Sequence, residues 1–202
     1  MPGMKGDNRL VVGISGASGV TYGLRLLEVL RSTPIETHLV VSRAAERTLV
    51  QELPEGVRSL KELAHTWYPI DDIGAAVASG SFRTRGMVVV PCSVKTLGEI
   101  ASGIASNLLT RAADVTLKER RRLVLAVRES PLNLIHLRNM VSVTEAGAII
   151  APPVPMFYAH PTTLADAIRT TVCRLLDLFD IETGQMPRWG EEIDPHAPAP
   201  KR

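Results

Sequence analysis

Residues 9–31 read RLVVGISGASGVTYGLRLLEVLR, and this stretch decides the fold. Leu10, Val11 and Val12 form a short apolar run, Gly13, Gly16 and Gly19 punctuate a turn, and Val20, Leu24, Leu27 and Leu30 then recur at helical spacing. The reading is a buried strand that passes through a glycine turn into a helix. At the start of such a helix the first backbone N–H groups lack intrahelical acceptors, and the aligned peptide dipoles add partial positive charge. With the hydroxyls of Ser15 and Ser18 beside them, these groups suit a phosphate, the alternative being a tight strand-to-helix turn with no ligand. The GxxGxxG spacing is neither the dinucleotide GxGxxG nor the GxxxxGK[ST] loop, so it names no particular phosphate.

Outward from this unit, residues 35–41 (IETHLVV) read as a second strand ending at Ser42, followed by a helix over 44–53. Residues 54–56 mark a loop, 57–65 a weak helix, and 73–78 a helical piece within the small-residue stretch 74–80, suited to tight helix-on-sheet packing or to a subunit contact. Residues 87–90 are a continuous apolar strand running into Pro91, Cys92, Ser93, Val94, Lys95 and Thr96. Helices over 94–104 and 107–119, a strand over 123–127, a helix over 132–146 stopped by Gly147, and a strand over 148–151 come next. A proline-stiffened loop, PPVPMFYAHP, precedes a last helix capped by Thr162 or Thr163 and reaching about Phe179. Apolar strands alternating with helices predict one α/β domain over 9–181, built on a parallel sheet wound on both faces. Residues 1–8 read as a flexible start and 182–202 as a tail, disordered from 193, in which Arg188, Trp189 and Gly190 stand alone. Ligands of such sheets sit outside the carboxyl ends of the strands, so the segments 15–19, Ser42, 93–96 and 128–129 are predicted to converge on one crevice.

Composition narrows the function. The chain has 202 residues, 45% of them hydrophobic, which suffices for one well-packed core. The net charge of +2, with the basic run 118–122 broken by Glu119, argues against a nucleic-acid or anionic-membrane surface and fits a small anionic ligand better. Cys92 and Cys173 are far apart, and the opening MPGMKGDN carries no apolar signal segment, which reads as a cytoplasmic protein. No apolar run approaches the ~18 residues of a membrane span, and the five histidines form no metal-ligand pair, so neither membrane nor metal is implied.

Several side chains are candidates for chemistry. Arg111, Asp114 and Lys118, at i, i+3 and i+7, share one helix face as a solvated salt ladder or as a phosphate clamp. Arg128 and Glu129 would face opposite ways on a regular strand, but Pro131 ends the strand and lets both reach one site, the alternative being a charge pair of little consequence. Cys92 has no histidine in its motif and reads as a small buried apolar residue; His136 and His160 read as packed or exposed. Phe157 and Tyr158 wall a pocket or plug the core, and Trp189 docks the tail or closes a lid.

The motifs GISGASG, THLVVS, SGSF, PCSVKT, NLLTRAADVTLKERR, VRESPLNLIHLRNM, PPVPMFY and PRWGE, in this order from Arg9 to about Glu191, closely resemble those of the UbiX-type flavin prenyltransferases, also called phenylacrylic acid decarboxylase-like flavoproteins. The resemblance implies a Rossmann-like, flavodoxin-type subunit that joins the dimethylallyl group of dimethylallyl phosphate to N5 and C6 of reduced FMN, for use by a separate UbiD-type decarboxylase. It implies that Gly16, Ala17 and Ser18 hold the flavin with Ser42, Ser93, Val94, Lys95, Thr96 and Arg128. Lys118, Arg128, Tyr158 and Arg174, with Arg111, would grip the allyl phosphate. Glu129 with Ser18 would handle the proton, and Trp189 would close the pocket. Cations would supply the charge that magnesium often supplies elsewhere, so no metal is expected. A homo-oligomer is implied, commonly a dodecamer with sites between subunits. The chain departs from the family at Arg122, where proline is usual, and at Ser130, where threonine is commoner. The competing expectations are an FMN-dependent cysteine decarboxylase, which shares the fold, and a flavin-carrying subunit without catalysis.

Overall fold

The computed structural model describes residues 8–53 and 56–194. Six parallel strands form one sheet: β1 (Arg9–Ile14), β2 (Glu36–Val41), β3 (Thr66–Tyr68), β4 (Gly86–Cys92), β5 (Arg122–Val127) and β6 (Ile149–Ile150), in the spatial order β3-β2-β1-β4-β5-β6. The order reverses between β1 and β4, which makes the carboxyl ends of those two strands the topological switch point where doubly wound sheets bind ligands. The helices are α1 (Val20–Leu30), α2 (Arg43–Glu52), α3 (Gly56–Leu63), α4 (Val94–Ala101), α5 (Leu108–Lys118), α6 (Leu134–Glu145) and α7 (Leu164–Asp177).

Successive residues of a strand point to opposite faces, and here both faces are apolar because both are covered. Leu10, Val12 and Ile14 join the core that contains Leu26 and Leu27 of α1 and Val172 and Leu176 of α7. Val11 joins the other, with Leu97 of α4, Leu109 and Ala112 of α5 and Val143 of α6. Leu26, Leu27 and Leu30 are wholly buried, each contributing about 1.5–3 kcal/mol of transfer free energy.

The predicted α/β architecture is present, with three local differences. β3 was not expected: it is three residues long, ended by Pro69, and too short to show a period, yet it pairs with β2 from His38 to Val40. The helix expected over 73–78 is a single 3-10 turn, Ala76–Ala78, preceded by tight turns at Asp72 and Ala75. Its Ala75, Val77 and Ala78 pack in the same core as Leu109, Ala112 and Ala113 of α5, which gives the small residues a packing role within the chain. Several expected helix ends are caps: Asn107, Asn133 and Thr163 each accept from the backbone N–H three residues on and form capping boxes. His136 is the reciprocal partner of Asn133 in one of them. The expectations for residues 1–7, 54–55 and 195–202 lie outside the described residues. Among the described residues no helix is long and apolar enough to cross a membrane.

Candidate active site at the switch point of the sheet

Between the carboxyl ends of β1, β2 and β4 lies a cavity of about 320 Å³. Gly16, Ser42, Ser93, Lys95 and Thr96 of the predicted set line it. The glycine is required by close approach: a Cβ at Gly16 would come within 2.4 Å of the Cβ of Ala44 at the start of α2. Ser42 Oγ accepts from Ala45 N–H at 3.1 Å and Ser93 Oγ from Thr96 N–H at 3.3 Å, so the two serines cap α2 and α4 and their helix starts open on the cavity. Ser15 is turned away from it. The Ser15 hydroxyl donates to the Pro91 carbonyl at 3.1 Å and accepts from Ser93 N–H at 2.7 Å, tying the end of β1 to the end of β4. Ala17 is buried and, like Val94, is not among the lining residues.

Glu99, half-buried, brings an unpartnered carboxylate oxygen to this cavity. Its Oε1 accepts from Lys95 and from Ser106, each at 2.8 Å, while its Oε2 is buried without a partner. A buried carboxylate oxygen in this condition is an acceptor in want of a donor.

The glycine turn holds a residue that sequence reasoning missed. The N–H groups of Gly19 and Val20, which the sequence offered to a phosphate, donate to the Glu52 carboxylate at 2.9 and 3.0 Å. Gly19 has φ +97°, and α1 has neither a side-chain cap nor an acidic residue in its first turn. An anion from elsewhere in the chain therefore satisfies it. That lack was a legible signal; which carboxylate would answer it was not. Ser18 is exposed between Ala17 and this cap. The Tyr22 ring packs over Gly19; burial pushes its phenol pKa up, and the Arg128 guanidinium partly opposes the rise. Arg128 N–H donates to the Cys92 carbonyl at 3.0 Å, which seats it beside the Ser93 turn. Glu52 and Tyr22 thus gather with Ser18 at the start of α1, and Arg128 stands at the end of β5; none of the four lines the cavity. Cys92 is fully buried and its thiol is pushed up to about 12, which leaves it inert as a nucleophile.

The residues of the predicted phosphate grip are spread over several elements of the chain. α5 starts at the crevice, where Asn107 and Leu109 line the wall, and ends about 16 Å away at Lys118. There the Lys118 ammonium pairs with Glu119 and lies over Gly80, at the end of the sheet where β5 begins. Arg121 donates to the carbonyls of Gly80 and Phe82, so the SGSF turn serves to hold the end of α5. Arg111 pairs with Asp114 at 2.8 Å, and Lys118 takes no part in that pair. Glu129 is exposed and accepts from the N–H of Ser130. Arg174 lines a separate cavity of about 220 Å³ beyond β6 and pairs with Asp177, which also holds Arg188 at 2.8 Å. The Trp189 ring meets Tyr158 edge-on at 5.3 Å between centroids, so the tail docks on the proline-rich loop. Among the described residues no cluster of His, Cys, Asp or Glu is placed to hold a metal ion.

A family profile described as Flavoprotein matches residues 1–194. The flavin prenyltransferase UbiX of Escherichia coli K12 is 57% identical over 174 residues, covering 86% of this chain and 92% of that one. The crystal structure of AnUbiX (PadA1) in complex with FMN and dimethylallyl pyrophosphate superposes with a TM-score of 0.89 at 50% identity, covering 91% of this chain and 98% of that one. A dodecameric FMN-dependent UbiX-like decarboxylase from Escherichia coli O157:H7 superposes with a TM-score of 0.87 at 47% identity, covering 90% and 98%.

Proposed function

The chain belongs to the UbiX-type flavin prenyltransferases, and we infer from that membership that it joins the dimethylallyl group of dimethylallyl phosphate to N5 and C6 of reduced FMN. The observation that carries the reading is the crevice at the switch point, whose residues fit the flavin. Two capped helix starts supply N–H donors for a phosphate, the partnerless Glu99 oxygen supplies an acceptor for a ribityl hydroxyl or a ring N–H, and Gly16 leaves the space a side chain would fill. Gly16, Ala17, Ser18, Ser42, Ser93, Val94, Lys95, Thr96 and Arg128 would hold it. When bound, reduced FMN supplies the nucleophilic ring atoms to which the allyl group is joined.

The chain's own residues have three tasks. As the allylic C–O bond breaks, negative charge grows on the departing phosphate, and preorganised cations stabilise it. Lys118, Arg128 and Arg174 with Arg111, and the phenol of Tyr158, are assigned to that charge. Because Lys118 and the crevice lie at opposite ends of α5, the grip is assigned to residues of adjoining subunits. Support for a homo-oligomer comes from α6, which presents Leu134, Ile135, Leu137 and Val141 to solvent, and from the dodecameric relative. Ser18 with Glu129 is assigned the proton that the reaction releases, with Glu52 a second carboxylate on the Ser18 turn. Trp189, seated on Tyr158, is assigned to closing the site.

The product is assigned to a separate UbiD-type decarboxylase in the cytoplasm. Incubation with reduced FMN and dimethylallyl phosphate is expected to yield a flavin heavier by one C5H8 unit in the mass spectrum; bound FMN of unchanged mass would overturn the reading. The purified chain alone is expected to release no CO₂ from phenolic acids.

A further inference from the structure

Two cations line the crevice, and each is held by a carboxylate that also lines it: Lys95 by Glu99 at 2.8 Å, and Arg43 by Asp71 at 2.5 Å. The second pair joins two separate segments of the wall. Arg43 is the first residue of α2, directly after the cap Ser42, whereas Asp71 belongs to the loop that follows β3. Their side chains are 74% and 68% exposed, so solvent screens the pair and it separates at little cost.

With both pairs made, the charges on the crevice cancel, although its ligand carries a phosphate. The start of α1 cannot serve that anion, because the Glu52 carboxylate already occupies it. Of the two paired cations, Lys95 is tied to a carboxylate fixed on its own helix four residues on, while the partner of Arg43 sits on a separate segment. A guanidinium offers a planar fork of donors that matches phosphate as well as carboxylate oxygens, and a phosphate, with a charge of about −1.5 to −2, presents more negative charge than the single exposed carboxylate.

Resting on the flavin reading of the crevice, we propose that Arg43 is a ligand of the FMN phosphate, held in reserve by Asp71. On flavin entry the guanidinium leaves Asp71 for the phosphate; on release of the product it returns. No covalent step is involved, and the exchange makes the Arg43–Asp71 pair a charged latch on the crevice wall.

The test compares FMN with riboflavin, which lacks the phosphate, by quenching of flavin fluorescence on titration with wild type, Arg43→Gln and Asp71→Asn. In Arg43→Gln the preference for FMN over riboflavin is expected to fall by about tenfold or more, with riboflavin binding unchanged. In Asp71→Asn the same preference is expected to rise by about twofold to fivefold, through faster FMN association that weakens with salt. An unchanged preference in both variants, or an equal loss of FMN and riboflavin in Arg43→Gln, would overturn the proposal. If wild type binds neither flavin, the reading of the crevice fails instead.

Discussion

The crevice follows from the strand ends and the phosphate grip from a family resemblance, and the chain gathers the first into one cavity while it spreads the second over several elements. The crevice draws on the ends of adjacent strands, β1, β2 and β4, whose positions the sheet order dictates. The grip draws on the far end of α5, a strand end, the proline-rich loop and α7. A fold brings neighbouring strand ends together whatever else happens; it brings the two ends of an eleven-residue helix together only if a second copy lies alongside. On the proposed function, one half of the site would belong to the subunit and the other to the assembly.

The sharpest way to break this contrast is at Gly16. A side chain there must displace Ala44 of α2, a backbone-anchored neighbour 2.4 Å from the new Cβ, so both the crevice and its packing suffer. Gly16→Val is expected to cost roughly 1–3 kcal/mol of stability, with a lower thermal midpoint in circular dichroism, and to abolish FMN binding. Wild-type FMN affinity in this variant would show that the crevice is not where the flavin lies.

Next in size is the grip. Lys118→Ala and Arg174→Ala are each expected to keep FMN affinity within about twofold while prenyl transfer falls by about a hundredfold or more. If adjoining subunits supply the two side chains, refolding the variants together regenerates some sites with both, up to about a quarter of wild-type activity for a random mixture. No recovery in oligomers of proven mixed composition would return the grip to a single chain.

A smaller effect is expected at Glu52, at the start of α1. Glu52→Gln keeps the shape of the cap over Gly19 and Val20 but removes the negative charge from the start of α1. The expected cost is about 0.3–1 kcal/mol in urea unfolding, with FMN affinity held and prenyl transfer slowed. Loss of FMN binding would make Glu52 part of the crevice.

The same contrast explains what the sequence disclosed. Leu10 to Val12, Val88 to Val90 and Leu123 to Val127 are apolar on both faces, so the parallel sheet and the site at its carboxyl ends were legible. The role of Ser15 was not, because a serine in a glycine turn looks the same whether its hydroxyl faces a ligand or, as here, ties Pro91 to Ser93. Glu52 was hidden for a related reason: its partners, Gly19 and Val20, are more than thirty residues away, and no periodicity connects a helix's last residue to another helix's start. Arg111, Asp114 and Lys118 share a face by spacing, but Lys118 turns to Glu119, its chain neighbour, which spacing alone does not disclose. Arg122, which departs from the family pattern, donates to the Leu178 carbonyl and to Asp180, tying the start of β5 to the end of α7, at the end of the sheet where Lys118 also lies and away from the crevice.

The smallest expected effect lies directly beneath the crevice. Cys92 ends β4 one residue before Ser93, a position from which a reactive thiolate would reach the site, and the neighbouring residues alone do not settle whether it is a nucleophile or a core residue. Burial settles it: with the thiol pushed up to about 12, it stays protonated at pH 8, and the buried side chain admits no reagent. Folding raises this pKa, so the protonated thiol is the form the native state favours, and the associated stability is present below the unfolded value near 8.5 and declines only as pH rises past it. Iodoacetamide at pH 8 is thus expected to leave Cys92 unlabelled in the native protein and to label it in urea, as peptide mass mapping would report. Cys92→Ala is expected to leave prenyl transfer within about threefold of wild type, with no ionisation lost from the pH profile between 7 and 9. Rapid native labelling that stops transfer would mean that the floor of the crevice opens, and the self-contained half of the comparison would then be the mobile one.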